Sequence, residues 1–149
     1  MSSESMRKVV IHRAGGYEQL KLETHPVPKP GNRQILIQTE AVGVNYADIC
    51  VRWGVYESAR RFVGWPITPG FEYAGWVQEV SREVKHLKPG DSVFGVTLFN
   101  GYSTHVCVAA DLVWPKPRAL TFEAAAGFLA AHLTAYHRLL QQVVVRPGM

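Results

Sequence analysis

Cysteine is scarce in this chain of 149 residues, which has only Cys50 and Cys107. Their wide separation forms neither a Cys-x-x-Cys redox pair nor a four-ligand zinc set, and a reducing, cytoplasmic setting is the expectation. Long apolar runs are missing too. The longest, Ala124 to Ala131, falls far short of the roughly 20 residues a membrane-spanning helix requires, so no membrane span is expected. Met1 to Met6 has no apolar segment after a basic one, which argues against a secretory leader, and no Asn-x-Ser/Thr sequon is present. Charge does not cluster. Sixteen Lys and Arg against twelve Asp and Glu leave a net +4 scattered along the sequence, which reads as solvated surface and gives no basic tract for nucleic acid. Arg60-Arg61 is the one basic pair placed where an anionic ligand could meet it.

Several catalytic signatures are absent as well. No Gly-x-Ser-x-Gly elbow, phosphate-binding Gly-x-x-x-x-Gly-Lys loop or dinucleotide-binding Gly-x-Gly-x-x-Gly occurs. His132 and His137 stand five residues apart and so do not align on one helix face, and His12, His25, His86 and His105 lack metal-like spacing. Serine hydrolysis and nucleotide hydrolysis are set aside, and no metal site is expected.

What remains is a well-punctuated sequence with 47% hydrophobic and 19% charged residues, enough for one globular domain with a substantial core. Residues 1–6 read as a polar, disordered tail. Val9 to Ile11, a Gly15-Gly16 turn and the alternating Leu20 and Leu22 predict a hairpin. Pro26, Pro28 and Pro30 force an extended crossing as far as Gly31. A long strand runs from Gln34 to Val44, its alternation breaking near Glu40 as at a bulge. Tyr46 to Trp53 has helical spacing and stops at Gly54. Residues 54–69 read as a long aromatic loop bearing Tyr56, Phe62 and Trp65, of the kind that edges a cleft. Strands follow at Tyr73 to Val80, Ser92 to Val96, Ser103 to Val108 and Leu112 to Trp114, separated by turn residues. After Pro117 the pattern turns helical, over about 121–127 and 129–141, with Thr121 as N-cap.

Three glycine-bearing segments carry the strongest signal: Gly43-Val44-Asn45-Tyr46-Ala47-Asp48, Pro66-Ile67-Thr68-Pro69-Gly70-Phe71-Glu72-Tyr73-Ala74-Gly75 and Lys88-Pro89-Gly90-Asp91-Ser92-Val93. Glycines beside β-rich or turn sequence mark corners or close backbone approaches, which together describe a tightly cornered, partly open β-barrel with one short helix after Asn45. In order and spacing these segments resemble the N-terminal half of medium-chain dehydrogenases/reductases, and within them the zinc-free, zeta-crystallin-like quinone oxidoreductase branch. The resemblance extends over about residues 7 to 149. It implies an α+β, mainly β fold: a GroES-like barrel over 7–120, then a helical connection over 121–149 toward a Rossmann half that this sequence does not contain.

The resemblance also assigns sites. Zinc-dependent relatives place a metal-binding Cys where this chain has Asn45 and a metal-binding His where it has Phe71; neither replacement is a comparable Zn²⁺ donor, so metal-free chemistry follows. Asn45 offers an acceptor and two donors suited to a nicotinamide carboxamide, a ribose hydroxyl or a substrate carbonyl, although an Asn can equally hold a strand-to-helix turn. Thr134 matches a threonine that approaches the cofactor. Tyr56 and Trp65 match the substrate cleft, with Tyr56 as a candidate donor to a developing enolate oxygen or else a packing residue. Cys50 stands where several quinone reductases have Tyr. Asp48 reads as a structural carboxylate in the first turn of a helix, and Glu72 as a buried group against a basic partner, with no catalytic role.

The implied parent activity is NADPH-dependent reduction of a quinone or enone, with little turnover expected from these 149 residues alone. The same half of an enoyl thioester reductase is indistinguishable at this level. A different alternative is a non-catalytic module that binds a protein partner or forms a homo-oligomer through an apolar patch expected around Phe128, Leu129 and Leu133.

Overall fold

The computed structural model describes residues 4–143, Val145 and Gly148. Residues 1–3 of the expected tail, and positions 144, 146, 147 and 149 of the expected connection, lie outside the described residues.

The expected hairpin is formed by β1 (Ser5–Val10) and β2 (Lys21–Pro26), antiparallel with Val9 opposite Leu22. Its first strand starts inside the segment assigned to the tail. Met6 is the reason: with Val10 it buries one face of β1, the period-2 pattern of a half-buried strand.

A second sheet contains β3 (Gln34–Val42), β4 (Glu72–Val80), β5 (Ser92–Val96), β6 (His105–Ala109) and β7 (Val113–Pro115), in the order β6-β3-β4-β5-β7, with every pair antiparallel. Its ends, β6 and β7, do not pair, so the sheet stays open and no barrel closes. Isolated bridges, Lys8 to Ser103 and Ile11 to Ile67, join the hairpin region to the rest, reinforced by the Val9 N–H on the Tyr102 carbonyl and the Thr104 N–H on the Arg7 carbonyl. The alternation break at Glu40 is a bulge: Thr39 faces Gly75 and Ala41 faces Ala74, leaving Glu40 unmatched.

Apolar residues sort into three cores. Ile35, Ile37, Val77, Val93, Val106 and Val108 fill the inner face of the large sheet. Ala74 and Phe94 on the other face receive Ala125, Ala126 and Leu129. Ile11, Val51, Ala59, Ile67 and Phe99 form the third core, which lies beneath two short helices.

Those two helices are α1 (Tyr46–Arg52), as expected, and α2 (Glu57–Phe62), which lies within the stretch read as loop. Three features support α2 despite its six residues. Glu57 lies in its first turn, Arg60 and Arg61 lie in its last, and Gly64 at φ +75 donates its N–H to the Ala59 carbonyl at 2.8 Å. After the sheet come α3 (Phe122–Ala126), capped by the Thr121 hydroxyl accepting from the Ala124 N–H at 3.2 Å, and α4 (Leu129–Tyr136). The α-helix was expected to continue to 141. It instead widens to a π-helical turn over His137–Gln142 and ends at the β-branched Val143 in extended conformation.

Candidate functional site

Between the start of α1 and the outer side of α4 lies an open cleft of about 560 Å³. Asn45, Tyr46 and Ala47 form one side, Tyr56 and Phe71 the floor, and Ala130, Ala131, Leu133 and Thr134 the other side. Asn45 sits there because it is the N-cap of α1, extended at φ −118 and ψ 155, directly after β3 delivers the chain. Thr134 lies on exposed α4, where its hydroxyl donates to the Ala130 carbonyl at 2.6 Å and keeps its lone pairs for another donor.

Tyr56 caps α2 and packs on Phe71 with ring centroids 5.5 Å apart; both also meet Phe99, at 6.3 and 5.3 Å. Tyr56 is therefore part of a packed aromatic group and part of the cleft at once. Trp65 does not join it. That indole lines a separate small hollow with Val51, Gly54, Ala59, Arg60 and Ile67, and the stretch read as a loop contains α2. Arg60 and Arg61 close α2 on its exposed side and do not line the cleft.

Two buried carboxylates lie behind Asn45. Asp48, 5% exposed, accepts from the Asn45 N–H at 2.9 Å, the Gly70 N–H at 2.8 Å and the Tyr102 phenol at 3.0 Å. Burial raises its pKa above the usual aspartate range, those three donors pull it back down, and the nearby Glu72 charge adds a smaller upward push. Glu72, 2% exposed, accepts from the Asn45 Nδ2 at 2.9 Å and from the Ala130 N–H at 2.8 Å. It was expected to face a basic partner. Its partners are instead neutral donors, one of them a free N–H in the first turn of α4, where the helix dipole favours negative charge. This link between the two sides of the cleft was missed from sequence. A signal was present in Gly43, where an added Cβ would fall 2.4 Å from the Glu72 Cγ, but a clash of that kind is visible only once the two segments are adjacent.

Among the described residues no group of three His, Cys, Asp or Glu side chains could hold a metal ion, and no helix is long and apolar enough to cross a membrane. The patch expected around Phe128, Leu129 and Leu133 is only partly realised: Phe128 and Leu133 are exposed, whereas Leu129 turns into the sheet-helix core.

Residues 31–142 match the family model of the alcohol dehydrogenase GroES-like domain. The chain belongs to that family. This GroES-like chain is 36% identical over 145 residues to the synaptic vesicle membrane protein VAT-1 homolog of Rattus norvegicus, covering 96% of itself and 35% of that protein. It is 35% identical to the quinone oxidoreductase of Lama guanicoe, covering 96% of itself and 43% of that enzyme. Among solved structures, the human synaptic vesicle membrane protein VAT-1 homolog-like protein superimposes with a TM-score of 0.91 at 32% identity, over 98% of this chain and 46% of that one. The Escherichia coli quinone oxidoreductase complexed with NADPH gives 0.87 at 30% identity, over 95% and 42%. The GroES-like chain thus spans less than half the length of these relatives, and the resemblance to medium-chain dehydrogenases/reductases read from its glycine-rich segments holds.

Proposed function

We propose that this GroES-like domain forms the substrate side of an NADPH-dependent quinone or enone reductase, acting in a reducing, cytoplasmic setting. The helical stretch from 121 onward would lead to the nucleotide-binding half. The observation that carries this reading is the gathering of Asn45, Tyr56 and Thr134 around one cleft. The donor set suits a nicotinamide: Phe71, Ala130 and Leu133 would give its flat ring apolar walls, and the Asn45 amide and Thr134 hydroxyl would meet its carboxamide. When bound, the cofactor supplies the hydride.

The chain's own work in this reading is positional. Asn45 and Thr134 orient the nicotinamide, the aromatic floor keeps water from the reacting face, and the Tyr56 phenol donates a hydrogen bond to the carbonyl oxygen as negative charge develops. The chemistry is metal-free, with the Asn45 amide engaged by Glu72 and Phe71 packed between Tyr56 and Phe99. The similar oxidoreductases are named for quinone; an enone presents the same conjugated carbonyl, and an enoyl thioester would need the same donors.

The test joins this chain to a nucleotide-binding half from a quinone oxidoreductase relative and follows quinone-dependent NADPH oxidation. Asn45→Ala should lower kcat/KM by about tenfold or more, the size of one lost orienting hydrogen bond. An unchanged kcat/KM would overturn the cofactor role of Asn45.

A further inference from the structure

We propose that Glu72 is a positioning residue that sets the cleft's two sides, turning the Asn45 amide and anchoring the first turn of α4 through a single carboxylate. The inference rests on reading the cleft as a nicotinamide site, but the device itself is defined by this chain alone. Asn45 turns its amide nitrogen to Glu72, whose Oε1 accepts from it at 2.9 Å, so this contact sets which way the amide faces. The other oxygen of Glu72 holds the Ala130 N–H, one helical turn before Thr134. Both groups proposed to meet the nicotinamide are therefore referred to the same side chain.

Two observations argue that this is more than packing. Glu72 is 2% exposed and its hydrogen bonds go to neutral donors only, so it bears the desolvation of a polar carboxyl group that an apolar residue of similar volume would avoid. The space it fills also requires Gly43, since a Cβ there would lie 2.4 Å from the Glu72 Cγ and Oε1 and 2.5 Å from the Ala126 carbonyl. Glutamine at position 72 keeps the shape but has one acceptor and one donor. It can hold the Ala130 N–H or the Asn45 nitrogen, not both, and the helix end favours keeping the oxygen on Ala130. The Asn45 amide must then turn over.

The experiment uses the ¹⁵N-labelled chain and NADPH at millimolar concentration. In the unaltered chain, one Asn45 side-chain amide proton should be shifted downfield and slow to exchange, and NADPH should move the Asn45 and Thr134 signals. In Glu72→Gln that proton should lose both properties while the backbone spectrum of the sheets persists, and the NADPH dissociation constant should rise about tenfold. An Asn45 signal indifferent to Glu72→Gln, or an unchanged dissociation constant in a variant whose amide has turned, would overturn the positioning role. If Glu72→Gln does not fold, the unaltered chain decides: a nuclear Overhauser contact between an Asn45 side-chain amide proton and the Glu72 γ-protons supports the contact, and its absence overturns it. If Glu72→Gln frees the amide but NADPH moves neither Asn45 nor Thr134 in the unaltered chain, the Glu72 link stands and the nicotinamide reading fails.

Discussion

Asp48 in the first turn of α1 accepts a hydrogen bond of 3.0 Å from the phenol of Tyr102, 54 positions further along the chain. That bond and the one from the Gly70 N–H fix the α1 start against the segments leading into β4 and β6. Asp48→Asn retains size but offers one oxygen to three donors, leaving at least one buried N–H or O–H unpaired. We expect a loss of about 1–3 kcal/mol in urea unfolding, and about 1 kcal/mol for Tyr102→Phe, which removes a single donor.

The same carboxylate has a distinct pH signature. Its folded pKa is raised, chiefly by burial, so the folded state takes up the proton at a higher pH than the unfolded chain does. A raised folded value means stability from this group is gained as pH falls through that value toward the ordinary aspartate range and lost as pH rises again. The unfolding free energy of the unaltered chain minus that of Asp48→Asn should therefore increase between about pH 7 and about pH 4. A flat difference would show that Asp48 titrates as it does in the unfolded chain, and one that shrank on acidification would show a lowered pKa; either outcome would overturn the raised value.

Two glycines should respond in opposite directions to alanine. At Gly75, facing the bulge in β3, an added Cβ would lie 2.0 Å from the Gln38 carbonyl, a backbone atom that cannot move without opening the sheet. Gly75→Ala should cost about 3 kcal/mol or more, at or beyond the upper end for overpacking. Gly127, between α3 and α4, has φ −95 and its nearest neighbour at 3.8 Å, so Gly127→Ala should stabilise by about 0.4–1 kcal/mol. Thermal melts of the two variants are the check.

These contrasts show what could be read from the sequence and what could not. The bulge at Glu40, the hairpin, the stop of α1 near Gly54 and the Thr121 cap are local: each follows from a few adjacent residues whose propensities agree. Helix α2 was hidden because it is short and buries Ala59 alone, leaving almost no apolar period to detect. Trp65, which follows it, lines a separate hollow with Val51, Ala59 and Ile67 and not the cleft. Leu129 and Leu133 share one face of α4, and packing of its first turn against Ala74 and Phe94 buries Leu129 and leaves Leu133 exposed, a difference that helical period does not carry. The Glu72 partners were illegible for the same reason, as a contact spanning 58 positions has no periodicity.

The outer side of the last helical stretch leaves Tyr136, Leu139 and Leu140 exposed, between 53% and 63%. Apolar surface of that kind promotes association. The chain should self-associate as its concentration rises, and Leu139→Glu with Leu140→Glu should shift it toward monomer in light scattering. Both positions lie outside the cleft, so NADPH-induced shifts at Asn45 should be unaffected by the pair of changes.

Tyr56 gives the sharpest separation of packing from chemistry. Its ring touches Phe71 and Phe99, whereas no hydrogen bond to its hydroxyl is present among the described residues. Tyr56→Phe preserves those ring contacts and deletes only the donor. Stability should change by less than about 0.5 kcal/mol, the range for a substitution that leaves packing intact. In the assembly joined to a nucleotide-binding half, kcat should fall by about 10²-fold with KM for NADPH nearly constant, because a bond made to charge developing on the substrate oxygen acts in the transition state alone. If kcat were retained and only stability fell, Tyr56 would be a packing residue at the edge of the cleft, and the donor to the substrate oxygen would have to be sought elsewhere along its walls.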